Sequence, residues 1–149
     1  IQELSRVLRY TLQSNESQSV SLREEMEFAS AYIFLLKMRF ENNLQFDIQI
    51  AKSFEDYRLP PMAVQVLIEN AVKHNEISDR KPLTIHIVTN NEGYLSVSND
   101  IQPKRTAASG TGIGLVNLAK RYRLLFKQDI QITEDKEFSV CIPLIDEVQ

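Results

Sequence analysis

Cysteine is nearly absent from this chain. Cys141 stands alone, which excludes an internal disulfide and any zinc site built on cysteines. A reducing compartment fits that usage. Histidine is scarce too: His74 and His86 are the only two in 149 residues. No apolar run approaches the roughly 20 residues that span a bilayer, and no signal-peptide pattern opens the chain. There is no basic surplus. Lys and Arg number 17 against 20 Asp and Glu, a net charge of −3, which argues against nucleic acid as a partner. What remains is an ordinary globular composition, 43% hydrophobic and 25% charged. The length suffices for one good core, or one core and an appendage. The chain starts in mid-pattern without Met, so it reads as part of something longer, with room upstream for membrane spans or sensor domains.

Hydrophobic periodicity predicts the order helix, helix, strand, helix, strand, strand, helix, strand, strand. Residues 1–13 read as a short helix, with Ile1, Leu4, Val7, Leu8 and Thr11 at helical spacing, and 14–19 as a small polar turn. Ser21 and Glu24 form a capping-box signature that opens a long helix to about Asn42. Its apolar face is Leu22, Met26, Ala29, Ile33, Leu36 and Phe40. The two helices make an antiparallel hairpin. After Asn43 the period changes: Phe46, Ile48 and Ile50 alternate with polar residues, as in a half-buried strand. Pro60 and Pro61 predict the first turn of a helix, where no amide partner is lost. Residues 83–88 and 94–98 read as strands joined by the turn Asn90-Asn-Glu-Gly93. A helix from Gly114 to about Phe126 precedes strands over 130–133 and 138–143. Hairpins interleaved with helices predict an α/β two-layer sandwich with a mixed sheet, divided as 1–42 and 43–149.

The helix after Pro61 carries unusual chemistry. At about 100° per residue, Val64, Leu67, Ile68, Ala71 and Val72 share one apolar arc, while Gln65, Glu69, Asn70, Lys73 and His74 spread over the other side. The Asn70 amide oxygen is a hard, neutral ligand suited to Mg²⁺, which takes few protein ligands beside phosphate oxygens. Alone, Asn70 reads equally as a surface asparagine. Lys73 suits phosphate as a point charge, or pairs with Glu69 at i, i+4 for about 0.2–0.5 kcal/mol. Glu69 is a candidate general base or a solvated helix carboxylate. His74 lines a pocket or completes the polar face, and His86 sits in an alternating strand as a structural residue. Downstream, Ser109-Gly-Thr-Gly-Ile-Gly-Leu115 opens another helix. Gly110, Gly112 and Gly114 permit positive φ and close backbone approach, and helix-start amides attract anions. The P-loop lysine is missing, as is the strand–turn–helix grammar of a dinucleotide fingerprint. Two facing elements of this kind suggest a nucleotide site.

These residues carry a resemblance. Leu59-Pro-Pro…Gln65-Val-Leu-Ile-Glu-Asn-Ala-Val-Lys-His74 resembles the N box of LytS-type sensor histidine kinases. Gly112-Ile-Gly-Leu-Val-Asn-Leu-Ala-Lys-Arg-Tyr-Arg-Leu-Leu125 resembles their second glycine box. The stretches Leu8-Arg-Tyr10, Glu24-Glu-Met-Glu, Ala31-Tyr and Lys37-Met-Arg-Phe40 look like the segment after that family's phosphoacceptor histidine. The likeness covers nearly the whole chain, within the GHKL ATPase superfamily.

The resemblance implies a Bergerat-type ATP-binding domain over 43–149 that passes the γ-phosphate of ATP to a histidine. Residues 1–42 would then be a remnant of the dimerisation and phosphoacceptor region. Asn70 is implied as the Mg²⁺ ligand and Lys73 as a phosphate contact. Gly112 and Gly114 would flank the nucleotide beneath a lid over 101–111. The candidate nucleotide-binding set is Asn70, Lys73, His74, Asn99, Gly110, Thr111, Gly112, Gly114 and Leu115. Two departures stand out. Where the family's first glycine box, Asp-x-Gly-x-Gly, is expected, this chain reads Asn99-Asp-Ile-Gln-Pro103. Asn99 takes the aspartate's place without its charge, which implies a weaker bond to the adenine amino group. The acceptor histidine motif is absent, so the acceptor is expected upstream. Implied partners are a response regulator, through that missing region, and a second copy in the parent protein. The parent is expected to be anchored in the inner membrane with this part in the cytoplasm. Two other readings stand beside this one: a non-catalytic interaction module on the same fold, and a serine kinase of the anti-sigma type.

Overall fold

The computed structural model describes residues 19–104 and 112–147. The helix expected over 1–13, most of the turn after it, and Gly110 and Thr111 lie outside the described residues. Of the expected helical hairpin, only the second arm is therefore described.

That arm begins with local chemistry. Ser21 is extended, and its hydroxyl accepts the Glu24 amide while the Glu24 carboxylate accepts the Ser21 amide. The capping box closes, and α1 runs Leu22–Phe40. Leu22, Ala29 and Leu36 are buried in the core and Met26, Ile33 and Phe40 pack against it, which is the face the periodicity predicts.

Before α1 lies β1 (Val20–Ser21), and after it come β2 (Leu44–Gln49), β3 (Arg58–Leu59), α2 (Ala63–His74), β4 (Leu83–Thr89), β5 (Tyr94–Asp100), α3 (Ile113–Phe126), β6 (Gln131–Glu134) and β7 (Glu137–Pro143). The main sheet has five strands in the order β2-β4-β5-β7-β6. β2 and β4 are parallel and every other neighbour is antiparallel. Parallel neighbours need a long crossover, and the segment containing α2 supplies it. At the β4–β5 turn the Asn90 side-chain oxygen accepts the amides of Glu92 and Tyr94, and Gly93 takes φ 85. Ile85, Ile87, Leu95, Val97, Val140 and Ile142 of the sheet share one core with Val64, Leu67, Ile68, Ala71, Leu118 and Tyr122 of the helices. Each fully buried aliphatic side chain contributes about 1.5–3 kcal/mol. Tyr122 is fully buried and donates its hydroxyl to the Pro143 carbonyl at 2.8 Å. The result is the expected two-layer α/β sandwich.

Several local expectations change. Pro60 and Pro61 do not open α2, which starts at Ala63 after a turn. A residue before proline is pushed out of the helical region, which removes Leu59 and Pro60. Met62 then breaks the approach with φ 69. In β2 the fully buried residue is Leu44, while Ile48 is exposed, because β2 is an edge strand with a neighbour on one side only. The two-residue pair β1–β3 has no counterpart in the sequence reading. His86 does serve structure: its Nδ1 lies 3.0 Å from Asp47 Oδ2 across the parallel β2–β4 register. Finally, α1 shares the sheet's core, so the expected division at residue 43 passes between elements packed together. No helix among the described residues is long and apolar enough to cross a membrane.

Candidate functional site

α2 and α3 converge at the start of α3. Gly112 is the residue before that helix, with φ 86, a conformation glycine adopts without penalty. Gly114 brings the helices together. A Cβ placed on it would lie 3.2 Å from the Val66 side chain of α2. First-turn amides have no acceptor within their own helix, so this start presents donors and the positive end of the helix dipole to α2.

The cleft between the two helices has two joined compartments. One, of about 130 Å³, is lined by Val66, Glu69, Asn70, Lys73, His74, Gly112 and Gly114. The other, of about 310 Å³, includes Asn70, His74, Asn75, Ile101, Gly112, Leu115 and Phe138. Asn70, His74 and Gly112 line both. The structure thus brings together Glu69, Asn70, Lys73, His74, Gly112, Gly114 and Leu115. Burial, with lesser contributions from the Lys73 and Lys104 charges, lowers the His74 pKa below its usual value and favours the neutral ring.

A larger recess of about 720 Å³ lies across the α2 ridge, between α2 and α1. Glu69 and Lys73 line it too, but Asn70 and the glycines do not. It therefore lacks the anion-binding helix start, and the smaller cleft is the better candidate. Burial and the Glu69 charge raise the Tyr32 phenol there to about 12.

Asn99 is not among the residues lining the cleft. It is fully buried on β5, opposite Phe138 of β7, and its amide donates to the Asp100 carbonyl at 2.8 Å. Its side chain shares a strand face with Leu95 and Val97.

One cleft-lining residue, Asn75, and its partner behind the lining, Gln102, were missed. Asn75 ends α2, is buried, and donates to the Ala71 carbonyl at 2.8 Å. Its oxygen accepts the Gln102 amide at 2.7 Å. Gln102 in turn accepts the Glu76 amide at its carbonyl and donates its side chain to the Glu76 and Lys81 carbonyls. The only sequence signal was an asparagine just past a helix end, a residue whose short amide bonds readily to nearby backbone.

The donor set suits a nucleotide with Mg²⁺. Mg²⁺ keeps most of its waters and takes one or two protein oxygens beside phosphate. Asn70 offers one, and no cluster of three metal-ligating side chains occurs among the described residues.

The family described as histidine kinase matches residues 1–44. That stretch contains no histidine. Sensor protein LytS of Streptococcus mutans is 34% identical over 151 aligned residues, covering 91% of this chain and 26% of that protein. The chain belongs with the LytS-type sensor histidine kinases. Sensor protein kinase HptS of Staphylococcus aureus is 32% identical over 87 residues, 58% of this chain and 17% of that protein. The chain spans about a quarter of the length of the LytS relative. Among solved structures, the nucleotide-free catalytic domain of histidine kinase ThkA shares the fold, with TM-score 0.58 and 18% identity. The likeness covers 86% of this chain and 99% of that one.

Proposed function

We propose that this chain is the ATP-binding catalytic portion of a two-component sensor histidine kinase whose acceptor histidine lies outside it. The observation that carries the reading is the convergence of Asn70, Lys73 and His74 on the Gly112–Gly114 helix start. Bound ATP with Mg²⁺ would supply the phosphoryl group for transfer to an imidazole nitrogen. The Asn70 oxygen would hold the metal. The Lys73 ammonium would neutralise phosphate charge, and the amides opening α3 would bind phosphate oxygens. The neutral His74 ring and Leu115 would wall the base. Asn99, buried and outside the cleft lining, would have to be uncovered by the entering base to read the adenine amino group, and Glu69, exposed at the cleft rim, would serve as the candidate base.

His74 is poorly placed as the acceptor, because in-line transfer needs a nucleophile opposite the leaving group, and His74 lies on the ATP-site helix itself. His86 is in a strand, paired with Asp47. We infer that the acceptor belongs to the upstream part of the parent, with a response regulator as the next receiver, a second copy as dimer partner and an inner-membrane anchor. We also propose that the catalytic domain starts near Ser19, with only residues before it left from the dimerisation region, since α1 packs into the sheet's core.

Calorimetric titration with a non-hydrolysable ATP analogue, with and without Mg²⁺, tests the reading. Mg²⁺-dependent binding is expected. No heat at millimolar nucleotide would favour the non-catalytic module, for which Ile101 and Pro103 standing in place of glycines speak. With γ-labelled ATP, no acid-labile label is expected on this chain alone.

A further inference from the structure

Glu25 is the only fully buried carboxylate among the described residues. Its two oxygens accept the amides of Met62 at 3.1 Å and Val64 at 2.8 Å. Those amides open α2. Met62 offers no side-chain acceptor of its own there. Glu25 therefore caps a helix from another helix, and the α2 dipole favours its charge. A buried carboxylate is tolerated only when hydrogen bonds replace its lost water, and here two amides do so. The same turn is also held from α3. Arg121 of α3 donates to the Pro61 carbonyl. One turn thus takes a carboxylate from α1 and a guanidinium from α3.

α2 and α3 are the two walls of the cleft. Asn70 lies six residues beyond Val64, roughly 9 Å along the axis. A tilt at the clamped turn therefore moves Asn70 against Gly112 and Gly114. The 3.2 Å spacing that a Gly114 Cβ would have to Val66 leaves little slack between the helices.

We infer that Glu25 is a positioning residue of the nucleotide cleft, setting the Asn70 helix against the glycine helix from outside the cleft. The inference rests on the nucleotide reading above. A purely structural cap would change stability and leave the affinity of the folded molecules alone.

The test compares the 149-residue chain with Glu25→Gln, which keeps the shape and one acceptor oxygen, and with Ile142→Val, a core truncation on β7 remote from the turn. Circular dichroism fixes a temperature at which all are folded. Affinity for the Mg²⁺-bound ATP analogue is expected to fall about tenfold in Glu25→Gln, within the range typical of coupled sites, and to stay unchanged in Ile142→Val. A second readout needs no nucleotide. The NMR signals of the Asn70 side-chain amide and the Gly112 and Gly114 amides are expected to shift in Glu25→Gln alone. Unchanged affinity and unchanged signals in folded Glu25→Gln overturn the inference. If the parent chain binds no nucleotide, the nucleotide reading fails, and the signals still decide: no shift sinks the clamp, a shift supports it. Should Glu25→Gln not fold, Glu25→Asp, which keeps the charge and shortens the reach, is judged by the same outcomes.

Discussion

The Asn75 side-chain oxygen accepts the Gln102 backbone amide at 2.7 Å, fastening the exit of β5 to the end of the helix that carries Asn70. The other half of the same amide group holds the Ala71 carbonyl at 2.8 Å. One buried side chain thus joins the floor of the cleft to one of its walls. Replacing it strands a buried carbonyl and a part-buried amide, and a buried group left unpaired costs about 1–3 kcal/mol. Asn75→Ala is expected to lower stability by about 2 kcal/mol or more in urea unfolding, and to weaken nucleotide binding as the 101–103 segment loosens. Unchanged stability would show that water replaces both bonds.

Asn70 is a different case. It is half-buried in the cleft, and its proposed work is on the metal. Surface substitutions away from special features change stability by about 0.5 kcal/mol or less. Asn70→Ala is therefore expected to unfold at nearly the parent's urea midpoint while losing most Mg²⁺-dependent nucleotide affinity. Equal affinity in variant and parent would reduce Asn70 to a helix-surface residue.

For Asn99 the burial adds a cost that sequence alone does not show. Asn99→Asp would offer adenine a charged, stronger acceptor. It would also bury a carboxylate and exchange the bond from the Asn99 amide to the Asp100 carbonyl for repulsion. The expected outcome is tighter, more adenine-selective binding together with a nucleotide-free protein destabilised by about 1–3 kcal/mol. Thermal melts with and without ATP or GTP analogues measure both. A variant as stable as the parent and no more selective would show that position 99 neither pays for burial nor reads the base.

The lowered His74 pKa makes a pH prediction with a definite sign. Above the unfolded pKa of about 6.5 both states are neutral and His74 contributes no pH dependence. As pH falls through that value the unfolded chain takes the proton first, so stability falls until the lower folded pKa is passed. Asp47, lowered by its bond to His86, acts in the same direction at more acid pH: its stabilisation is present above the unfolded aspartate range and lost as pH falls through the folded pKa. Urea unfolding between pH 7.5 and pH 5 is expected to show the first loss in the parent and a flatter profile in His74→Gln. Identical profiles would mean that His74 titrates alike in both states.

Neighbours along the chain were legible from sequence. The Ser21–Glu24 capping box, the apolar face of α1, the Asn90–Gly93 turn and the polar stripe of α2 each rest on residues a few positions apart. Their geometry follows from helical or hairpin spacing alone, so the pattern of side chains specifies it. The glycine-rich start of α3 was legible for the same reason, since positive φ is a property of the residue itself. What tertiary structure decided lies far apart in the chain. Glu25 meets Met62 and Val64, Asn75 meets Gln102, and Asn99 turns inward beneath the helices. None of these can be read from spacing, because a partner some 30 residues away is chosen by how the sheet orders its strands and where α2 crosses it. The sequence by itself determined which groups could bind a phosphate or a metal. Only the fold determined which of them share one cleft, because a shared site requires two helices held at a fixed separation, and that separation is set by the packing of Gly114 on Val66 and by the groups that clamp the start of α2.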